Sequence, residues 1–159
     1  MDSNFESIKD ILLKIPILGA MNEDEIKSLM ALFVPATYEK DDIIIQEGGS
    51  PTNLYIIKSG EVSVLKNDIE LIKLGLGDSF GEVELIGIIP NLADCIALTP
   101  CEILVLPKKN LYNLKKSNPE FFIKLILNIA RECCRRLANA DNFIVHNIDS
   151  QPQQDKEYY

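Results

Sequence analysis

The stretch from Asp78 to Asp94, DSFGEVELIGIIPNLAD, decides how the rest of the chain is interpreted. Gly81 stands between an aromatic residue and a carboxylate, where glycine permits a positive φ and close approach of the backbone. An apolar segment follows and ends at Pro90. This pattern predicts a strand end, one short helical turn and a return. The N–H groups at the start of such a turn suit an anion, but a plain surface crossover between two strands explains the segment equally well.

Short strand-like runs lie on both sides of this stretch. From Thr37 onward, β-branched and apolar residues alternate with turn signals such as Glu47-Gly48-Gly49-Ser50-Pro51 and Ser59-Gly60. Many short strands joined by such turns are typical of a sandwich or jelly roll. The predicted strands are Ile43–Gln46, Leu54–Lys58, Glu61–Leu65, Ile69–Leu74, Cys95–Leu98 and Glu102–Leu106.

Helical patterns occupy the two ends of the chain. At the start, Phe5, Ile8, Leu12 and Ile15 form one apolar stripe, with Ser3 and Glu6 spaced as a capping box. A second helix is predicted to begin after Asn22 and to end before Pro35. The fold class is therefore α+β, mainly β, with N-terminal helices. The predicted C-terminal helices are 108–116 and a long one over about 119–147, and residues 148–159 are polar enough for a flexible tail.

Two apolar faces run along the long C-terminal helix. Phe122, Leu125 and Ile129 form the face that we expect to pack against the strands. A second set alternates three and four residues apart, which is the spacing of a coiled-coil seam and predicts a homodimer. A helix packed only on its own domain is the alternative. The predicted seam consists of Ile126, Ala130, Cys133, Leu137, Ala140 and Ile144.

The central stretch resembles the phosphate-binding cassette of cyclic nucleotide-binding domains, the family of bacterial catabolite regulators, protein-kinase regulatory subunits and gated channels. That cassette is typically Phe-Gly-Glu, eight residues, then Arg, any residue, Ala, and Thr or Ser. Here the eight residues are 83–90, Asn91 stands at the arginine position, Ala93 matches, and Asp94 replaces the hydroxyl. The resemblance covers roughly residues 8–147. It implies a β jelly roll, or double-stranded β-helix, whose long C-terminal helix covers the ligand pocket and forms the dimer interface.

The resemblance also implies a set of pocket residues. The one ligand that the resemblance implies is a cyclic nucleotide. The cassette glutamate, Glu82, would accept a hydrogen bond from its ribose 2′-hydroxyl, and the missing arginine would have paired with its phosphate. Asn91 offers no charge, whereas Glu84 and Asp94 add carboxylates near an anion. We therefore expect a regulatory sensor module that binds cyclic AMP or GMP weakly or not at all. The implied pocket residues are Phe80, Gly81, Glu82, Val83, Glu84, Leu85, Asn91, Leu92, Ala93 and Asp94.

Two other interpretations stay open. A cation from elsewhere could restore genuine cyclic-nucleotide binding, or the fold could serve as a ligand-free dimeric scaffold for protein interaction. Buried carboxylates need a counter-ion, so Arg135 or Arg136 is predicted to reach over the pocket like a closed lid. The alternative is that both arginines are solvated or pair with Glu132 and Asp141.

Composition narrows the function classes. The formal net charge of −8 argues against a nucleic-acid surface, and no apolar run approaches the length of a membrane span. The first ten residues lack the order of a signal peptide, so a cytoplasmic protein is expected. With one histidine, His146, no cysteine pair at metal spacing and no tryptophan, neither a metal site nor an enzyme is expected. The chain is expected to be a sensor without a DNA-binding output domain, acting through dimerisation or a separate effector protein.

Overall fold

The computed structural model describes residues 15–50, 53–87 and 89–149. A short 3-10 helix, Pro16–Leu18, precedes the first α-helix, and strands and helices then follow in the predicted order. The strands are β1 (Val34–Tyr38), β2 (Ile43–Ile45), β3 (Asn53–Ser59), β4 (Val62–Lys66), β5 (Ile69–Leu74), β6 (Ser79–Phe80), β7 (Asp94–Ala97) and β8 (Cys101–Pro107). The helices are α1 (Glu23–Met30), α2 (Glu82–Gly87), α3 (Lys108–Ser117) and α4 (Pro119–Asp149).

The eight strands form two antiparallel sheets of four. The first sheet has the order β1-β8-β3-β6 and the second the order β2-β7-β4-β5. Neighbours within a sheet are mostly distant in sequence, as in β1 against β8 and β2 against β7. Eight strands in two such sheets, with helices at both ends, confirm the predicted mainly β jelly roll.

The strand β3 explains why the molecule has two hydrophobic cores. Alternate side chains of a strand point to opposite faces. Accordingly, Leu54 and Ile56 pack with the helices on one side, whereas Tyr55 and Ile57 pack between the two sheets. All four are buried, so both faces of the first sheet are covered.

The first strand begins earlier than the sequence predicts. Strand pattern was expected from Thr37, but β1 begins at Val34 and includes Pro35, which pairs with Leu104 of β8. Proline cannot donate a hydrogen bond and is therefore confined to sheet edges or strand ends, and β1 is an edge strand. The predicted stripe and capping box within residues 1–14 lie outside the described residues.

Helix boundaries follow their caps closely. Asn22 and Glu25 form a reciprocal capping box at the start of α1, with distances of 2.9 and 2.8 Å. Asn118 accepts a hydrogen bond from the N–H of Phe121 and starts α4. This helix extends to Asp149, two residues beyond the predicted end, and the rest of the predicted tail lies outside the described residues. No helix in the described part of the chain is long and apolar enough to cross a membrane.

Candidate functional site

A cavity of about 750 Å³ lies between the second sheet, the helix α2 and the C-terminal half of α4. Most of its wall is apolar, and Asp78, Glu82, Arg135, Arg136 and Asn139 are its polar residues. The apolar wall consists of Ile45, Val64, Leu71, Ile72, Leu74, Phe80, Val83, Ala93, Cys95, Ala140, Phe143 and Ile144, and Gly81 completes it.

The first half of the predicted cassette builds one wall of this cavity. Phe80 stacks on Tyr55 with ring centroids 4.9 Å apart, and Gly81 follows with φ +81°. A Cβ atom on Gly81 would lie 2.8 Å from the carbonyl oxygen of Asn53, so glycine is required for both reasons. Glu82 is then placed at the start of α2 with its side chain only 3% exposed. Glu84 and Leu85 belong to α2, but the predictions for their side chains lie outside what the structure describes.

The second half of the cassette is turned toward the loop between β2 and β3. The amide of Asn91 donates to the carbonyl oxygen of Gln46 at 3.0 Å, and its backbone pairs with Gly48 and Gly49. The Asp94 carboxylate accepts from the N–H of Glu47 at 2.6 Å. Neither Asn91, Leu92 nor Asp94 is among the residues that line the cavity. Of this half, Ala93 alone reaches the cavity wall.

Arg136 of α4 crosses the cavity to the cassette. Its guanidinium Nη1 donates to the Glu82 carboxylate at 2.8 Å, and its Nη2 donates to the backbone carbonyl of Ser79 at 2.6 Å. Its Nε donates to Glu132 at 2.8 Å. Three nitrogens of one side chain thus bind three acceptors on three different elements, β6, α2 and α4, and Arg136 itself is 29% exposed.

Glu132 accepts hydrogen bonds from both Arg135 and Arg136. Its side chain is 2% exposed and receives two hydrogen bonds from Arg135, at 2.9 and 2.5 Å, besides that from Arg136. Burial by itself would raise the pKa of Glu132, but the hydrogen bonds from Arg135 and Arg136 outweigh it and hold that pKa below its ordinary value. The same contact raises the pKa of Arg135.

The two arginines show features of both interpretations made from the sequence, reach over the pocket and pairing with Glu132. Arg136 bridges Glu82 and Glu132, whereas Arg135 contacts Glu132 and lines the cavity with its side chain 54% exposed. Among the described residues that line the cavity, these two supply all the positive charge. Their role as a lid stays a prediction. Sequence reasoning missed the Ser79 carbonyl as an acceptor, since a backbone group leaves no signal in residue type.

The residues of the predicted dimer seam have different surroundings. The core in which Leu54 and Ile56 pack with the helices is called the helical-side core. Ile126 and Cys133 pack partly against it, whereas Ala140 and Ile144 line the cavity. Ala130 and Leu137 are exposed. Dimerisation itself stays a prediction.

The cysteines differ in burial, and the residue types that bind metals can be checked for clusters. Cys95 and Cys101 are buried, whereas Cys134 is exposed. Burial, followed by the nearby charge of Glu82, raises the pKa of the half-buried Cys133. Within residues 15–50, 53–87 and 89–149, no three residues of the metal-binding types His, Cys, Asp and Glu are grouped to hold an ion.

Comparison with known proteins finds relatives that match part of this chain. A cGMP-dependent protein kinase of Plasmodium berghei is 37% identical over 94 residues, which are 59% of this chain and 11% of the kinase. Glutaminase 2 of Bradyrhizobium diazoefficiens is 31% identical over 126 residues, which are 79% of this chain and 20% of that protein. The chain therefore spans a fifth or less of the length of either relative.

A solved structure matches nearly the whole chain. The crystal structure of a cyclic nucleotide-binding domain from Methylobacillus flagellatus superposes with a TM-score of 0.81 and 26% identity. The superposition covers 96% of this chain and 88% of the Methylobacillus flagellatus chain. The family model described as "Cyclic nucleotide-binding domain" matches residues 35–118, from β1 to the end of α3. This chain belongs to the cyclic nucleotide-binding domain family.

Proposed function

We propose that this chain is a non-catalytic regulatory sensor module that binds cyclic AMP and cyclic GMP weakly or not at all. One observation carries the proposal: Glu82, the residue expected to hold the ribose, is already paired with Arg136 at 2.8 Å. A nucleotide that used the same carboxylate oxygen, Oε1, would first have to displace this partly buried charge-assisted hydrogen bond. Such bonds contribute about 1.5–3 kcal/mol, which is roughly a ten- to hundredfold loss of affinity.

Residues 80–94 contain no lysine or arginine that would offset that loss. Asn91 occupies the position of the phosphate-binding arginine, and its amide is bonded to the Gln46 carbonyl outside the cavity lining. Lys66 of β4 is paired with Glu47 and does not line the cavity. An anionic phosphate would therefore lie near the carboxylates of Asp78 and Glu82 in the cavity lining, and the cassette supplies no cation to neutralise them.

A second candidate is genuine cyclic-nucleotide binding with a cation supplied by α4. Arg135 lines the cavity, is half-exposed and uses only Nε and Nη2 on Glu132. Its remaining nitrogen could meet a phosphate from the helix side of the cavity rather than from the cassette. The third interpretation, a ligand-free interaction scaffold, is favoured by exposed apolar residues of α4, among them Ile123, Leu127 and Leu137.

Isothermal titration calorimetry with four ligands tests these functions. Cyclic AMP and cyclic GMP are compared with adenosine and guanosine, which have the same base and ribose but lack the phosphate. We expect no measurable heat from either cyclic nucleotide at concentrations that saturate ordinary micromolar sites. Micromolar binding that depends on the phosphate and disappears in Arg135→Gln would overturn the proposal in favour of the second candidate. Flat traces with all four ligands would agree with the proposal and with the scaffold alike.

A further inference from the structure

Much of the apolar wall of the cavity is exposed to solvent. The exposed residues belong to β5, α2 and the C-terminal half of α4, so three separate elements offer apolar surface to the same cavity. A concave apolar surface of about 750 Å³ is typical of a site that binds a small molecule. These lining residues, with their exposed fractions, are Leu71 (61%), Ile72 (53%), Val83 (45%), Phe143 (71%) and Ile144 (54%).

The charged groups around the cavity are matched within the protein. Arg136 binds Glu82 and Glu132, each at 2.8 Å, and Arg135 binds Glu132 through two nitrogens. Asp78 lines the same cavity and adds to the negative charge around Arg135. Three carboxylates thus accompany two guanidinium groups. A bound anion would increase this excess of negative charge, and transfer of an unpaired charge into an apolar site is costly.

Asn139 supplies hydrogen-bonding capacity without charge. It lines the cavity one helical turn after Arg135, and its side chain is exposed. Its amide bonds to none of the residues that the structure describes. Because an amide both donates and accepts, it can bind one uncharged polar group of a ligand, such as a hydroxyl, a carbonyl or an amine.

We propose that the cavity binds an uncharged, largely apolar molecule, with Asn139 as the hydrogen-bonding partner of one polar group. Burial of the exposed apolar lining supplies the binding energy, and the matched charges select against anions. The inference rests on the proposed function, because a cavity that took cyclic AMP would not show this selection. It adds the class of molecule that the sensor module would recognise.

Two fluorescent dyes that differ in charge test the selection. N-phenylnaphthylamine is uncharged, and anilinonaphthalene sulfonate carries the same ring system with an added sulfonate. We expect one molecule of N-phenylnaphthylamine to bind per chain at micromolar concentration, and the sulfonate to bind about tenfold more weakly. Equal or tighter binding of the sulfonate would overturn the proposal, as would the absence of N-phenylnaphthylamine binding.

Variants of α4 test where the dye binds. Ala140→Trp fills part of the cavity, whereas Ala138→Trp, the matched control, places the same bulk at an exposed position that does not line it. Ala140→Trp should weaken N-phenylnaphthylamine about tenfold and Ala138→Trp should not. Urea unfolding checks that both variants are folded. Equal affinities of the two variants would place the dye elsewhere on the surface and overturn the proposal.

A second pair of variants tests the polar contact. Asn139→Ala removes an acceptor for the N–H of N-phenylnaphthylamine and should weaken its binding about threefold. Asn142→Ala, an exposed position of α4 that does not line the cavity, should leave binding unchanged. The same affinity in both variants would exclude Asn139 as the partner.

Titration of cyclic AMP into the dye complex separates this inference from the proposed function. We expect N-phenylnaphthylamine to stay bound at micromolar cyclic AMP. Absence of dye binding together with a flat calorimetric trace for cyclic AMP would overturn the inference alone. Displacement of the dye by micromolar cyclic AMP would overturn the proposed function and the inference together.

Discussion

Arg136 and Glu82 are 54 positions apart in sequence, yet their guanidinium and carboxylate meet at 2.8 Å inside the cavity. The pair joins the long helix α4 to the start of α2, which is the wall built by the cassette. Because Arg136 also binds the Ser79 carbonyl, the helix is bonded to one residue on each side of Gly81, Ser79 and Glu82. Through this side chain, the position of α4 is coupled to the cavity wall at Ser79 and Glu82.

Replacing Glu82 by glutamine should destabilise the protein. The variant keeps the shape of the side chain but removes the charge that faces Arg136, so we expect a loss of about 1–3 kcal/mol in the free energy of unfolding by urea. Glu23→Gln is the matched control, because its pair with Lys27 is on the surface with both side chains nearly half-exposed. That variant should lose no more than about 0.5 kcal/mol. Equal losses in both variants would show that the buried pair contributes nothing special.

The stability of the protein should fall in acid through Glu132. Its pKa in the folded protein lies below the ordinary value of 4.5, so its carboxylate stabilises the fold above that pH. This contribution is lost as pH falls through the lower pKa of the folded state. We expect Glu132→Gln to be less stable than the native protein at pH 7, and the difference to shrink steadily below about pH 4.5. Urea unfolding from pH 7 to pH 3 measures it, and a difference that is constant with pH would contradict the prediction.

The parts of the site that follow from local sequence were predicted well. The Phe80-Gly81-Glu82 motif and the turn signals around it specify a strand, a positive φ and a helix start within a few residues. Arg136 was one of several cations offered by the helix, and its choice depends on how α4 lies across the cavity. That placement comes from tertiary contacts of Leu125 and Ile129 with the helical-side core, which residue type alone does not specify.

The orientation of the Asn91 side chain could not be predicted from the sequence for a similar reason. An asparagine side chain accepts and donates hydrogen bonds in many directions. Its actual partner, the Gln46 carbonyl, is 45 residues away in a glycine-containing loop. The early start of β1 was missed because Pro35 normally argues against a strand, and only the sheet order shows that this strand is at an edge.

Gly81 should tolerate alanine much less well than Gly48. Both residues have a positive φ, at +81° and +76°, so alanine is strained at either position. A Cβ on Gly48 meets nothing within 4 Å, whereas one on Gly81 would be forced against the Asn53 carbonyl. We expect Gly48→Ala to lose about 1 kcal/mol and Gly81→Ala roughly 2–3 kcal/mol in the free energy of unfolding. Equal losses would mean that the close backbone contact at Gly81 can relax freely.

Asn91→Arg should create or strengthen binding of cyclic AMP. The substitution returns the planar cation that pairs with phosphate through two charge-assisted hydrogen bonds. The backbone of residue 91 is bonded to Gly48 and Gly49 and should stay in place, while the longer side chain leaves the Gln46 carbonyl. We expect affinity to rise roughly ten- to hundredfold, measured by calorimetry or by displacement of a fluorescent cyclic nucleotide.

The matched control for this variant is Asn113→Arg, which makes the same change of charge at an exposed position of α3 outside the cavity lining. It should leave binding of cyclic AMP unchanged, because a surface charge that acts on the ligand only through solvent is largely screened by salt. Adenosine provides the second control: its binding should not respond to Asn91→Arg, since it carries no phosphate. A gain for cyclic AMP that Asn113→Arg reproduces would reflect net charge alone. No gain at all would mean that this half of the cassette, held by Gln46 and Glu47, no longer faces a ligand.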